Sequence, residues 1–165
     1  MGIVSLLLVT WNSKHHLPLC LDSLEKQSYK NFEIIIVDNG SSDGGIVGIK
    51  ERYPDLNIHV KKLYKNMGFA VANNIGARMA CGKWLALLNA DAFPETEWLE
   101  NLVKAAEQYP NGFFSSRQIQ ANTPTILDGE GDVYHISGLA WRINYGYPIQ
   151  KREAIEEIFS PCAAA

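Results

Sequence analysis

Glu33-Ile34-Ile35-Ile36-Val37-Asp38-Asn39-Gly40-Ser41-Ser42-Asp43 is an apolar run that stops on an acid and a string of turn formers. Ile and Val without alternation suit a central strand covered on both faces. Residues 3–9 (IVSLLLV) repeat the pattern upstream and residues 84–88 (WLALL) downstream, with residues 57–61 a weaker strand between them. Helical spacing fills the intervals. Leu17, Leu21 and Leu24 recur at i, i+4 and i+7, with Pro18 tolerated in the first turn. Residues 70–81 (AVANNIGARMAC) read as a second helix of small residues, and Trp98, Leu99, Leu102 and Val103 mark a third. Strand and helix in alternation predict an α/β fold: a Rossmann-like, mostly parallel sheet with helices on both faces and right-handed crossovers.

Composition narrows the function classes. The chain has 165 residues, 47% apolar and 20% charged, which fits one packed domain and excludes a disordered chain. A net charge of -3 marks the whole surface neither as a nucleic-acid binder nor as an anionic-membrane binder. The longest apolar stretch, residues 84–88, is far too short to span a bilayer. The first residues, MGIVSLLLV, lack a basic region and a cleavage site, so they read as a strand. Cys20, Cys81 and Cys162 are odd in number and lack metal-ligand spacing, which points to reduced thiols and a cytoplasmic location.

Order weakens after Asn111. Residues 113–120 suggest a strand, residues 121–150 are rich in Gly and aromatics without a clear period, and residues 128–138 (DGEGDVYHISG) read as a loop. The terminal Ser160-Pro161-Cys162 and three alanines carry no cap or charged tail, as in a stop inside a packed element.

Ligands of doubly wound sheets bind outside the carboxyl ends of the strands. Thr10-Trp11-Asn12, the Asp38 to Asp43 stretch and Asn89-Ala90-Asp91 are the polar clusters at those ends. A buried unpaired carboxylate is costly, which argues for a shared site. The alternatives are a turn or cap at Asp38, with Ser42 and Asp43 capping a following helix, and a polar turn before Pro94. No G-x-G-x-x-G follows the first strand, the Gly76 to Lys83 stretch misses P-loop spacing, and no G-x-S-x-G is present. His15, His16, His59 and His135 form no metal pair. Asn89-Ala90-Asp91 suits a Mg²⁺ or Mn²⁺ ion that takes one carboxylate, waters and phosphate oxygens.

Val4-Ser5 with Val9-Thr10-Trp11-Asn12, then Ile35 to Asp43, Asn66-Met67-Gly68-Phe69-Ala70 with Asn73-Asn74-Ile75-Gly76, and Leu87-Leu88-Asn89-Ala90-Asp91 occur in that order. Together they resemble family-2 glycosyltransferases of GT-A fold, strongly over residues 3–110. The resemblance implies that Thr10, Trp11 and Asn12 line the base and ribose pocket and that Asp38 bonds the pyrimidine. It implies that Asn66, Gly68 and Asn73 shape the nucleotide side, that Asn89 contacts ribose, and that Asp91 holds the metal. Asn39, where a second acid is frequent, and Asn89, in place of the first acid of D-x-D, are similar to the rhamnosyltransferase-like branch and to a dTDP-hexose donor.

The implied protein is a glycosyltransferase that moves a sugar, with inversion, from a nucleotide-diphospho-sugar to a glycan or lipid-linked acceptor in surface polysaccharide synthesis. Residues 1–120 would be the nucleotide-sugar-binding domain and 121–165 an incomplete start of the acceptor side. The family's base segment finds no match in 113–165. The chain is therefore expected to be cut short before the base, with Glu130 and Asp132 the stand-in candidates. Peripheral membrane association and a homodimer are further expectations. The competing classes are a non-catalytic nucleotide-sugar-binding fragment and a sugar nucleotidyltransferase.

Overall fold

The computed structural model describes residues 2–150 and 155–161. Cys162, Glu153 and the terminal alanines lie outside the described residues. The chain divides into two compact units, Met1–Glu100 and Asn101–Ala163.

In the first unit the elements run β1 (Val4–Thr10), α1 (Leu17–Glu25), β2 (Phe32–Asp38), α2 (Ile49–Arg52), β3 (Ile58–Lys62), α3 (Phe69–Ala77) and β4 (Trp84–Asn89). The four strands form one parallel sheet in the order β3-β2-β1-β4. The chain thus builds outward from β1 through β2 to β3, then crosses back to β4 on the other side of β1. Right-handed crossovers put the helix of the return connection on the opposite face from that of the outward one. α3 covers the face of Leu7, Ile35 and Val37, which form a buried cluster with Leu63 and Ala72. Leu6, Leu8, Ile34 and Ile36, which point the other way, are fully buried, as are Leu17, Cys20, Leu21 and Leu24 of α1. Each such Leu or Ile contributes about 1.5–3 kcal/mol through burial. Every β2 position is buried, whereas β4 alternates as an edge strand and β3 exposes Lys61 and Lys62.

α3 ends at Ala77, four residues before the expected end of the 70–81 helix. Met79 and Ala80 donate instead to Gly76 and Ala77 carbonyls, tightening the chain into turns. The next two amides leave the helical ladder. Cys81 N–H donates to Glu33 Oε1 at 2.9 Å and Gly82 N–H to Ser5 Oγ at 2.8 Å. Ser5 Oγ donates in turn to Glu33 at 2.5 Å, and His59 Nε2 lies 3.5 Å from its other oxygen. In the sequence Glu33 reads as part of an apolar run, because only the tertiary fold brings these donors to it.

α4 (Trp98–Gln108) spans the division between the units. The second unit holds two small antiparallel sheets, β5 (Gln118–Ile119) with β6 (Leu127–Gly129) and β7 (Asp132–Tyr134) with β8 (Ala140–Arg142). The expected 113–120 strand shrinks to two residues. The 128–138 stretch is not a simple loop: it contains the end of β6, all of β7 and the β7–β8 turn. Gly129 and Gly131, at φ 158° and 113°, let the chain turn between these three-residue strands, too short to show a period.

Candidate functional site

The carboxyl ends of β2, β1 and β4 lie side by side, with Thr10 paired to Asp38 and Val9 to Asn89. β1 and β4 are where the winding direction reverses, and the crevice outside such a switch point is where open α/β sheets bind ligands. Thr10 and Asp38 are buried at this end.

Asp38 answers both alternatives left open by its sequence context. Its Oδ1 accepts the Ser41 N–H at 3.0 Å, which closes a turn. Its Oδ2 is buried and has no hydrogen-bond partner. Turn formation accounts for one oxygen only, and a buried carboxylate oxygen without a donor is costly.

Asn39, 3% exposed, couples this strand end to the Asn66 loop. Its Oδ1 accepts the Met67 N–H at 2.8 Å, and its Nδ2 donates to Asn66 Oδ1 at 3.1 Å. Asn66 Oδ1 also takes the Gly68 N–H at 2.9 Å, so backbone donors orient both amides. A carboxylate at position 39 would have no proton for Asn66 Oδ1. Gly40, at φ 78°, lies so close to this loop that a Cβ would come within 2.5 Å of the Lys65 carbonyl carbon.

Asn12 sits in the left-handed region, φ 52°, which Asn tolerates better than most residues. Its N–H donates to Ser41 Oγ at 2.9 Å, and its Oδ1 accepts the Ser42 N–H at 2.9 Å. Asp43 fastens the same two loops, accepting from Lys14 N–H at 2.8 Å and Gly45 N–H at 2.9 Å. Those bonds, Gly45's first, hold its pKa below the usual carboxylate value. Ser42 and Asp43 therefore do not cap the next helix. α2 opens on Gly48, without a side-chain cap. Trp11, just before Asn12, is 56% exposed.

Across the switch point, Ala92 N–H donates to Asn89 O at 3.1 Å, so a turn follows β4 and leaves Asp91 exposed. Burial, and then the charge of Asp91, push the Cys20 thiol up to about 12. Cys20 Sγ lies 3.8 Å from Asn89 O. Gln27, fully buried, staples the segment beyond: its Nε2 donates to Glu95 O at 2.8 Å, and its Oε1 accepts Leu99 N–H at 3.0 Å. Sequence reasoning does not reach Gln27, and it offers Asp43 only as a helix cap. A Gln after an amphipathic helix ending in Leu24-Glu25 was the available signal.

The remaining candidates have partners of their own. Asn73 turns its Nδ2 back to Phe69 O within α3. In the second unit both Glu130 oxygens are engaged, one by Arg117 at 2.8 Å and the other by Asn144 at 2.5 Å. Asp132 is half-buried on β7. Among the described residues no three His, Cys, Asp or Glu side chains converge as a metal cage.

Residues 5–164 match the family model described as glycosyl transferase family 2. An uncharacterized glycosyltransferase of Haemophilus influenzae is 34% identical over 109 residues, 66% of this chain and 36% of that protein. The mannosyltransferase PcManGT of Pyrobaculum calidifontis, solved with GDP-Man and Mn²⁺, is similar at 26% identity and a TM-score of 0.61, over 82% of this chain and 35% of that one. TarS of S. aureus is similar at 25% identity and a TM-score of 0.60, over 70% of this chain and 23% of that one. The chain spans about a third or less of the length of the curated relatives it matches.

Proposed function

This chain belongs to glycosyl transferase family 2, and from that premise we propose that it is the donor-binding part of a cytoplasmic enzyme. The enzyme transfers sugar from a nucleotide-diphospho-sugar to a glycan or lipid-linked acceptor in surface polysaccharide synthesis. The observation that carries this reading is the buried Asp38 oxygen without a donor, placed beside Thr10 at the carboxyl edge of a sheet that reverses direction there. A base N–H reaching that oxygen would supply a charge-assisted bond.

Thr10, Trp11 and Asn12 would line the base and ribose pocket, with Asn66, Gly68 and Asn73 on its other side and Asn89 toward ribose. Asp91, exposed at the end of β4, fits a Mg²⁺ or Mn²⁺ ion whose other ligands are phosphate oxygens and water. Such an ion would neutralise the departing nucleoside diphosphate. The acceptor oxygen would bond to the anomeric carbon from the face opposite the leaving group, the carbon–oxygen bond to the diphosphate would break, and the acceptor proton would pass to a carboxylate base. Asn39 and Asn89 favour a rhamnosyltransferase-like branch with a dTDP-hexose donor. The enzyme would work at the inner face of the membrane, with homodimerisation through exposed apolar surface.

Residues 121–165 would begin the acceptor side, and the base would come from outside residues 1–165. Engagement of both Glu130 oxygens favours that division. It equally favours the second reading, a nucleotide-sugar-binding module without turnover.

A thermal-shift screen against UDP-, dTDP- and GDP-sugars, with and without Mn²⁺, tests the proposal, because a ligand that binds only the native state raises its midpoint. Asp91→Ala should remove the metal-dependent increment. Asp38→Ala should weaken nucleoside binding with or without metal by about one to two decades, the worth of a charge-assisted bond. Equal losses for both variants under both conditions would reject the assignment.

A further inference from the structure

We propose that Gln27 is a positioning residue for sugar transfer: from just beyond α1 it holds the Asp91 turn in place for a divalent ion and the donor diphosphate. This rests on the reading of Asp91 given above and extends it to a residue that touches neither ligand.

β4 ends at Asn89 and α4 begins at Trp98, so Asp91 sits on a stretch, residues 90–97, with no helix or sheet ladder of its own. The near end of that stretch is fixed by the sheet. Asn89 pairs with Val9, Ala92 N–H turns back to Asn89 O at 3.1 Å, and Ala90 is buried. The far end is fixed by two consecutive residues that follow α1. Gln27 Nε2 donates to Glu95 O at 2.8 Å, and Ser28 N–H donates to Thr96 O at 2.9 Å. Gln27 Oε1 accepts Leu99 N–H at 3.0 Å, and Ser28 Oγ donates to Glu100 Oε2 at 2.6 Å. Leu99 N–H belongs to the first turn of α4, where amides have no helical partner, so Gln27 caps that helix from another part of the chain.

One side chain thus commits a donor and its acceptor to the backbone beyond Asp91. Its full burial makes the residue type informative: an apolar side chain would fill the space but leave Leu99 N–H without its partner. Cys20 of α1 meets the other end of the stretch, with Sγ 3.8 Å from Asn89 O. α1 and the residues just after it therefore contact both ends of the segment that carries Asp91. Releasing the far end returns backbone freedom to the residues between the anchors. A carboxylate that must meet an ion and a diphosphate together tolerates little displacement, and losing a group that orients such a ligand typically costs 10–100-fold.

The test is calorimetric titration of the whole chain, well below its unfolding midpoint, with UDP, dTDP and GDP, each with and without Mn²⁺. Gln27→Leu should weaken Mn²⁺-dependent binding about tenfold or more and leave metal-free binding unchanged. Tyr53→Phe is the control for a general loss of stability. It removes another tie to α1, from Tyr53 Oη to Asp22 Oδ1 at 2.6 Å and Pro18 O at 2.9 Å, and should change neither affinity. In Gln27→Leu the amide order parameters of residues 90–93 should fall from rigid values of about 0.85 toward about 0.6, with those of α3 unchanged. Gln27→Glu keeps an acceptor for Leu99 N–H and loses the donor to Glu95 O, so it carries the same measurements, with smaller losses, should Gln27→Leu not fold. Undiminished Mn²⁺-dependent binding in a folded Gln27 variant overturns the proposal, as does an equal loss in Tyr53→Phe or an equal loss without metal. Where the parent shows no Mn²⁺-dependent binding, the order parameters decide. A loosened stretch at 90–93 then supports the Gln27 anchor and removes only the metal reading of Asp91, whereas an unchanged one overturns the anchor as well.

Discussion

Asn39 shows how one proton decides which residue a strand end tolerates. Its buried amide accepts from Met67 N–H and donates to Asn66 Oδ1. Asn39→Asp keeps the first bond and loses the second, setting a buried carboxylate oxygen against an acceptor already held by Gly68 N–H. The expected cost is about 1–3 kcal/mol of stability, the penalty for an unsatisfied buried polar group. Chemical unfolding of the variant measures it, and a change below half that range would show that the loop re-pairs. The same substitution should weaken nucleoside binding, because the Asn66 loop loses its tie to β2. Asp38 differs in kind. Its second oxygen is held in place by the fold yet left without a donor, so its replacement should be felt in ligand binding more than in folding.

Among the elements, α3 tests how closely the sheet is covered. A Cβ on Gly76 would come within 2.5 Å of Leu7 Cδ2 and 3.1 Å of Val37 Cγ2, both on buried side chains. Gly76→Ala should therefore destabilise the chain by about 1–3 kcal/mol through overpacking, despite the better helix propensity of Ala. A rise in midpoint would show that Leu7 repacks freely. The far end of this helix meets the Glu33 network. Burial raises the Glu33 pKa, but bonds from Ser5 and from Cys81, together with the His59 charge, outweigh it and leave the value lowered. A carboxylate with a lowered folded-state pKa adds stability above its unfolded value of 4.5, and that stability is lost as pH falls through the folded value. Unfolding free energies measured downward from neutral pH should fall more steeply below about 4.5 for the parent than for Glu33→Gln. Parallel acid limbs would remove Glu33 from the account.

At the scale of the whole molecule, donor binding and sugar transfer should separate. The strand-end residues lie in the first unit, whereas Glu130 is committed to Arg117 and Asn144 in the second. A positioned base contributes roughly 10²–10⁴-fold in rate. The 165-residue chain should accordingly bind a nucleotide sugar without transferring it. Product analysis with labelled donor checks this, and transfer that disappears in Glu130→Gln or Asp132→Asn would place the base within the chain.

Local patterns in the sequence determined the parallel sheet, the positions of β1, β2 and β4, and the strand ends that carry Thr10, Asp38 and Asn89. Unalternated Ile, Leu and Val fit only strands buried on both faces, and polar residues directly after them fall at the carboxyl edge. Tertiary structure alone decided the rest. The end of α3 depends on acceptors supplied by Ser5 and Glu33, more than 40 residues away in sequence. Whether Asp43 caps a helix or clamps a loop depends on Lys14 lying within reach, and the half-satisfied state of Asp38 depends on which donors the packed loops bring to it. Periodicity records which way a residue faces, but hydrogen-bond partners are chosen by groups that meet only once the chain has folded.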